Sequence, residues 1–219
     1  FPNTHLVVKV NNAADDWEAD PALASLMEAG RSAGSVSFLP GAYTYEEALG
    51  LYAMADVVVS LHRAEGIGFL PMEAMALGKP VIATGWSGNM AYMHHGAACL
   101  VDYRIVPVHG PGGIYERMLA GTPASWAEPN LATAAAWMRR LAANPELRER
   151  YGIAARAQIA RYQARASSAA FVAELREIYA NRDLLCKTAA QKTASLGVLA
   201  ELSLVPPPPP EPKTPTASP

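Results

Sequence analysis

The chain has 219 residues, 51% hydrophobic and 17% charged, enough apolar sequence for one large packed domain and a tail. Eighteen Lys and Arg stand against 20 Asp and Glu, a formal net charge of -2. That balance argues against nucleic-acid phosphates as the main partner, because holding them calls for a basic surface.

Strand and helix signals alternate along the body. His5 to Val10 is a short β-branched run and reads as a buried strand. Pro21 to Ala29 has helical spacing at Leu23, Leu26 and Met27. Ser35 to Leu39 is a second strand, stopped by Pro40-Gly41. Tyr45 to Ala55 is a helix with Leu49, Tyr52 and Ala53 on one face, and Asp56 to Leu61 a third strand. Pro71 to Leu77 is a short helix, with Pro inside its start and Gly78 past its end. Pro80 to Thr84 is a fourth strand and Cys99 to Val101 starts a fifth. Loop-rich sequence then runs to about Glu128. Asn130 to Ala143 and Pro145 to Tyr179 read as helices, the second broken near Arg165–Ser168.

Strands separated by helices predict an α/β fold, a Rossmann-like parallel sheet with helices on both faces. Ligands of such sheets bind beyond the carboxyl ends of the strands, so the residues after Leu39, Leu61 and Thr84 matter most. Residues 1–182 are expected to form this domain. Residues 183–205 are an unassigned extension. Eight of the 18 prolines lie in 206–219, which reads as a disordered Pro-rich tail or linker, with an SH3-type ligand as the minor alternative.

Two cysteines, Cys99 and Cys186, build neither a disulfide framework nor a zinc site, so a reduced, cytoplasmic setting is expected. The longest uncharged run, Pro80 to Val101, is interrupted by Gly85, Ser87, Gly88, Asn89, His94, His95 and Gly96 and is no membrane span. The start, Phe1-Pro2-Asn3-Thr4, is not a signal peptide and reads as a cut through a longer protein. The Ala-rich composition is bacterial in style.

Residues 60–89, SLHRAEGIGFLPMEAMALGKPVIATGWSGN, carry the chemistry. They read as strand, acidic-glycine loop, helix, strand and glycine loop. Gly66 and Gly68 let backbone amides approach a ligand, and the following helix points its positive end at them, a seat for a diphosphate. Glu65 and Glu73 bracket that loop. Carboxylates repel phosphate but accept from hydroxyls, which suggests sugar rings on either side of the diphosphate. Glu73 is expected in the first helical turn, where the dipole favours its charge. Taken singly, each feature is more often structural. A dinucleotide loop is disfavoured, since Pro71 stands where its third glycine belongs.

This run resembles the C-terminal, donor-binding domain of GT-B glycosyltransferases, most closely the retaining family 4 group with its Glu-x7-Glu motif. Glu65, seven residues, Glu73 and then Ala-Met-Ala-Leu-Gly-Lys-Pro-Val carry the likeness. SLHRAEG, ATGWSGN and Trp126-Ala127-Glu128-Pro129 look like one subgroup, and the likeness covers roughly residues 5–155. It implies that Glu73 binds the ribose hydroxyls and Glu65, the catalytic candidate, lies near the transferred sugar. It also implies that Gly66, Ile67, Gly68 and Phe69, with Leu70 at the helix entrance, hold sugar and phosphates by backbone amides. The loop at Gly41 to Tyr43 would meet the base. Ile67 and Phe69 replace the usual Phe and Leu, apolar exchanges that keep the spacing. Lys9 and Arg63 are candidate phosphate contacts, and Arg63 has the alternative of pairing with an acidic neighbour.

The implied function is transfer of a sugar from a UDP- or GDP-linked donor to an acceptor hydroxyl, retaining and metal-independent, with no further cofactor. The carbohydrate or lipid-linked acceptor would sit on a missing N-terminal domain, leaving this chain weakly active or inactive alone. The enzyme would be cytoplasmic, peripheral to the inner membrane face at most. The alternatives are a non-catalytic nucleotide-sugar-binding or interaction module on the same fold, and a nucleotide-sugar epimerase. His94 and His95 with Cys99 make a poor metal site, because adjacent side chains diverge. His62, Trp86 and Asn89 are open to pocket-lining and packing readings alike. The basic run Arg139 to Arg165 is expected to pair with Glu146 and Glu149 on a solvated face.

Overall fold

Residues 4–10, 21–108, 115, 119 and 122–182 are described by the computed structural model. The alternating elements form in the expected order. They are β1 (Leu6–Val10), α1 (Pro21–Ala33), β2 (Val36–Pro40), α2 (Tyr45–Met54), β3 (Val58–Ser60), α3 (Phe69–Ala76), β4 (Val81–Thr84) and β5 (Cys99–Val101). β6 (Tyr103–Pro107), β7 (Ser125–Pro129), α4 (Leu131–Ala143), α5 (Pro145–Arg165) and α6 (Ser168–Ala180) follow. A 3₁₀ turn, Gly88–Ala91, lies between β4 and β5. The predicted tail, 206–219, and the extension, 183–205, lie outside the described residues.

β1 and β2 pair in parallel from Leu6 opposite Val36 to Val10 opposite Pro40. β3, β4 and β5 form a second parallel ladder with β4 in its centre. All four β4 residues are fully buried. The period-2 alternation of a strand divides them between two helical layers. Val81 and Ala83 join Met75 of α3 and Ala155 and Ile159 of α5, while Ile82 joins Ala134, Leu141 and Leu147 of α4 and α5. That two-sided burial is why the strand reads as a continuous apolar run.

Local chemistry sets the helix ends. Thr44 caps α2 in a closed capping box with Glu47. Asn130 caps α4, its side chain accepting from the Ala132 and Thr133 amides. The predicted break in the last helix falls at residues 166–167, where Ser167 caps α6. Next to that break the chain divides into two units, the second beginning at Arg165. In the second, α6 presents Phe171, Leu175, Ile178 and Tyr179 to solvent. No described helix is long and apolar enough to cross a membrane.

Two expectations are corrected. The segment read as loop to Glu128 contains β6 and β7, an antiparallel pair running from Tyr103 opposite Pro129 to Pro107 opposite Ser125. Neither strand alternates cleanly and each ends in proline, so pairing across a long connection, not local pattern, makes them strands. The helix expected at Pro71 starts at Phe69. Glu73 therefore sits in the second turn, and no acidic residue occupies the first.

Candidate functional site

The chain leaves β3 at Ser60 and enters α3 through residues 61–68. Gly68 stands at the N-cap with φ 79°, in the left-handed region. A Cβ there would also come within 2.8 Å of the Tyr92 hydroxyl, so glycine is required twice over. That buried hydroxyl donates to the Gly68 carbonyl at 2.6 Å. Burial, with the Glu65 charge second, pushes the Tyr92 phenol far up.

The loop after β4 grips the other end of the same segment. The Glu65 amide donates to Ser87 Oγ at 3.1 Å, and the Ser87 hydroxyl donates to the Glu65 carbonyl. The Gly88 amide reaches that carbonyl at 3.4 Å. A Cβ on Gly88 would overlap the Gly66 carbonyl. Gly66, in contrast, faces open space. Its amide donates to Glu65 Oε1 at 3.1 Å.

Among the described residues, the amides of Ile67, Gly68, Phe69 and Leu70 donate to no backbone acceptor in the chain. This is the ordinary state of a helix's first turn, and it leaves a row of N–H groups at the positive end of α3. The Phe69 and Leu70 side chains are exposed, whereas Ile67 packs on the core. Phe69 and Leu70 thus belong to the helix and not to the loop.

Glu73 faces α2. Hydrogen bonding toward its carboxylate, with the Glu73 charge second, raises the Tyr45 phenol. Tyr52, raised first by burial, also feels the Glu73 charge. Spacing had given no sign of Tyr45, because α2 meets α3 only through the tertiary fold.

The two basic candidates have partners within the fold. Lys9 Nζ donates to the carbonyls of Gly41 and of Val10, the latter at 3.3 Å, and lies 4.3 Å from the Tyr43 ring centre. It therefore organises the loop after β2. Arg63 grips Glu128 of β7 with both sides of its fork, Nε to Oε2 at 2.7 Å and Nη2 to Oε1 at 3.0 Å. Its guanidinium also covers the Trp126 ring at 4.8 Å. The acidic-neighbour alternative is the one the structure displays.

Polar side chains brace the floor. His62 Nε2 is 3.0 Å from the Trp86 carbonyl and 3.2 Å from Asn89 Oδ1, and its Nδ1 is 3.2 Å from Ser60 Oγ. A carbonyl only accepts, so Nε2 carries the proton. Asn89 is fully buried and donates to the Thr84 carbonyl at 3.0 Å. Both side chains brace the loops that follow β3 and β4. Trp86 is exposed and stacks at a tilt on Tyr103, ring centres 5.2 Å apart. His94 and His95 are exposed, and the described residues contain no cluster of three metal-ligating side chains. In the basic run, Arg148 closes α4 by donating to the Leu141 and Ala142 carbonyls, and Arg140 covers Trp137. Among the described residues the ion pairs are Arg31–Glu28 and Arg63–Glu128, so the expected pairing with Glu146 and Glu149 is absent.

The family model described as glycosyl transferases group 1 matches residues 10–120, just over half of the chain. The chain belongs to that family. It is also similar to two solved structures of HepE from Anabaena, one in complex with UDP-glucose and one with UDP. Identity is 18% and 19%, with 82% of this chain aligned in each case. The TM-scores are 0.49 and 0.47, and the chain covers 42% of each HepE chain. It therefore spans less than half the length of these relatives. No curated protein matches it.

Proposed function

We propose that this group 1 glycosyltransferase chain binds a UDP- or GDP-linked sugar donor and presents its anomeric carbon to an acceptor hydroxyl. The observation carrying this reading is the row of amides at 67–70, without backbone partners and set between two carboxylates at the carboxyl end of β3. In this reading Glu73 accepts from the ribose hydroxyls and Glu65 from the hydroxyls of the transferred hexose. The amides and the α3 N-terminus take the diphosphate, and their dipoles stabilise the charge that grows as the bond from C1 to phosphate breaks. The acceptor oxygen forms the new bond to C1 on the face the diphosphate leaves, and its proton passes to the departing diphosphate oxygen. Retention of configuration and independence from metal belong to the same proposal, as do the family 4 assignment, a cytoplasmic location and an acceptor bound outside this chain. Further positive charge for the diphosphate would come from neither Lys9 nor Arg63, whose cations are used within the fold.

The test is thermal stabilisation of the 219-residue chain by UDP, GDP, ADP and their sugars, with Glu73→Ala as control. A ligand at 100 times its dissociation constant adds about 2.7 kcal/mol. Stabilisation by one base, lost in the variant, is the expected result. A shift that Glu73→Ala leaves intact would overturn the ribose assignment.

A further inference from the structure

Ser87 has φ 82° and ψ -158°, and it is the one non-glycine residue with positive φ among the described residues. Glycine adopts this backbone freely, and a residue with a Cβ does so only under strain. A glycine would make the same turn without that strain, so the side chain must contribute what glycine lacks. Its hydroxyl does not cap the 3₁₀ turn that Ser87 opens. It reaches back 22 residues, accepting from the Glu65 amide and donating to the Glu65 carbonyl. Gly88 then presses on the Gly66 carbonyl, and the Gly66 amide holds the Glu65 carboxylate. A continuous set of contacts runs from the strained residue to the Glu65 carboxylate oxygen.

We propose that Ser87 is a positioning residue that fixes Glu65, and thereby sets how tightly the sugar half of the donor is held. This rests on the donor-binding reading above, which places the transferred sugar at Glu65. Glu73, in the second turn of α3, lies beyond the contacts of Ser87, which end at the Glu65–Ile67 segment, so the ribose end of the donor is held independently. Ser87 thus tunes discrimination between a nucleotide-sugar and its bare nucleoside diphosphate.

Two variants separate hydroxyl from strain. Ser87→Gly removes both, and Ser87→Ala removes the hydroxyl alone. Calorimetric titration of the full chain with UDP-glucose and UDP, or the GDP pair if the base is guanine, gives the ratio of the two dissociation constants. Both variants should weaken the nucleotide-sugar by about tenfold, the scale of one lost hydrogen bond, and weaken the nucleoside diphosphate by less. In a Glu65→Ala background Ser87→Gly should change that ratio no further, since partners in one contact chain are not additive. Equal weakening of both ligands, or an effect that survives in Glu65→Ala, would overturn the proposal.

A ligand-free readout separates this idea from the donor reading. Amide exchange at Glu65 and Gly66 should speed up in Ser87→Ala while β4 and β5 stay protected. Unchanged exchange there overturns the positioning role. Accelerated exchange in a chain that binds no nucleotide would leave Ser87 holding Glu65 and would sink the donor reading instead.

Discussion

The Tyr92 hydroxyl lies 2.6 Å from the Gly68 carbonyl, 24 residues earlier in the chain, and ties the 3₁₀ segment to the start of α3. The same carbonyl accepts the Met72 amide at 3.1 Å as an ordinary helical bond. Removing the hydroxyl therefore leaves the acceptor with one partner. Tyr92→Phe should cost about 1 kcal/mol, the low end for a buried hydrogen bond. Urea denaturation measures it, and a loss well above 2 kcal/mol would mean that the phenol supports more than this bond.

Gly152 of α5 is buried against the turn that ends α3, and a Cβ there would overlap the Gly78 carbonyl. Backbone cannot swing aside as a side-chain tip does. Gly152→Ala should destabilise by about 2 kcal/mol or more through overpacking, despite alanine's better helix propensity. A neutral or stabilising result would show that α5 is free to shift away from α3.

The Arg63–Glu128 fork sits at a partly exposed site, with side chains 46% and 25% accessible. Solvent screening limits such a pair to about 1 kcal/mol. Arg63→Lys keeps the charge but loses the planar fork and the stacking on Trp126. It should lower stability by up to that amount and leave nucleotide affinity unchanged. A Kd for UDP or GDP that rises with a salt-dependent slope would instead return Arg63 to the phosphates.

Burial pushes the Cys99 thiol up to about 12. A raised folded-state pKa stabilises fully below the unfolded thiol's ordinary value and is lost as pH climbs toward the folded one. Stability should thus fall between about pH 9 and pH 12, with part of the slope belonging to Cys99. Denaturation midpoints at stepped alkaline pH, in a Cys186→Ser background, should show a flatter decline for Cys99→Ala. Identical slopes would assign the whole decline to other groups, Tyr52 and Tyr92 first among them.

Thr84 is fully buried at the end of β4, and its hydroxyl has no hydrogen-bond partner among the described residues. Thr84→Val keeps the shape and removes an uncompensated polar atom. The change should be neutral or stabilising by about 1 kcal/mol. Destabilisation in thermal melts would reveal a partner for that hydroxyl.

Much of the fold was legible because it follows from short-range sterics. The β4 run and the break at 166–167 act within a few residues of themselves, whereas the caps Thr44, Asn130 and Ser167 emerged only in the structure. β6 and β7 were not legible, since their pairing joins residues 18 to 26 positions apart. The start of α3 was misplaced for a related reason. Pro71 looks like a first-turn residue, but Gly68 turns the chain into the helix earlier, held by Tyr92 from outside the segment.

The candidate site divides along the same line. Sequence by itself set the Glu65-to-Glu73 spacing, the glycines between them and the helix whose N-terminus faces the loop, because backbone conformation and amide direction are local properties. Only the tertiary structure decided that Arg63 serves Glu128, that Lys9 serves the loop after β2, that Tyr45 meets Glu73 and that Ser87 holds Glu65. Each of those contacts joins residues 22 to 65 positions apart. Such partners are chosen by chain closure and packing, which no local pattern of residues records.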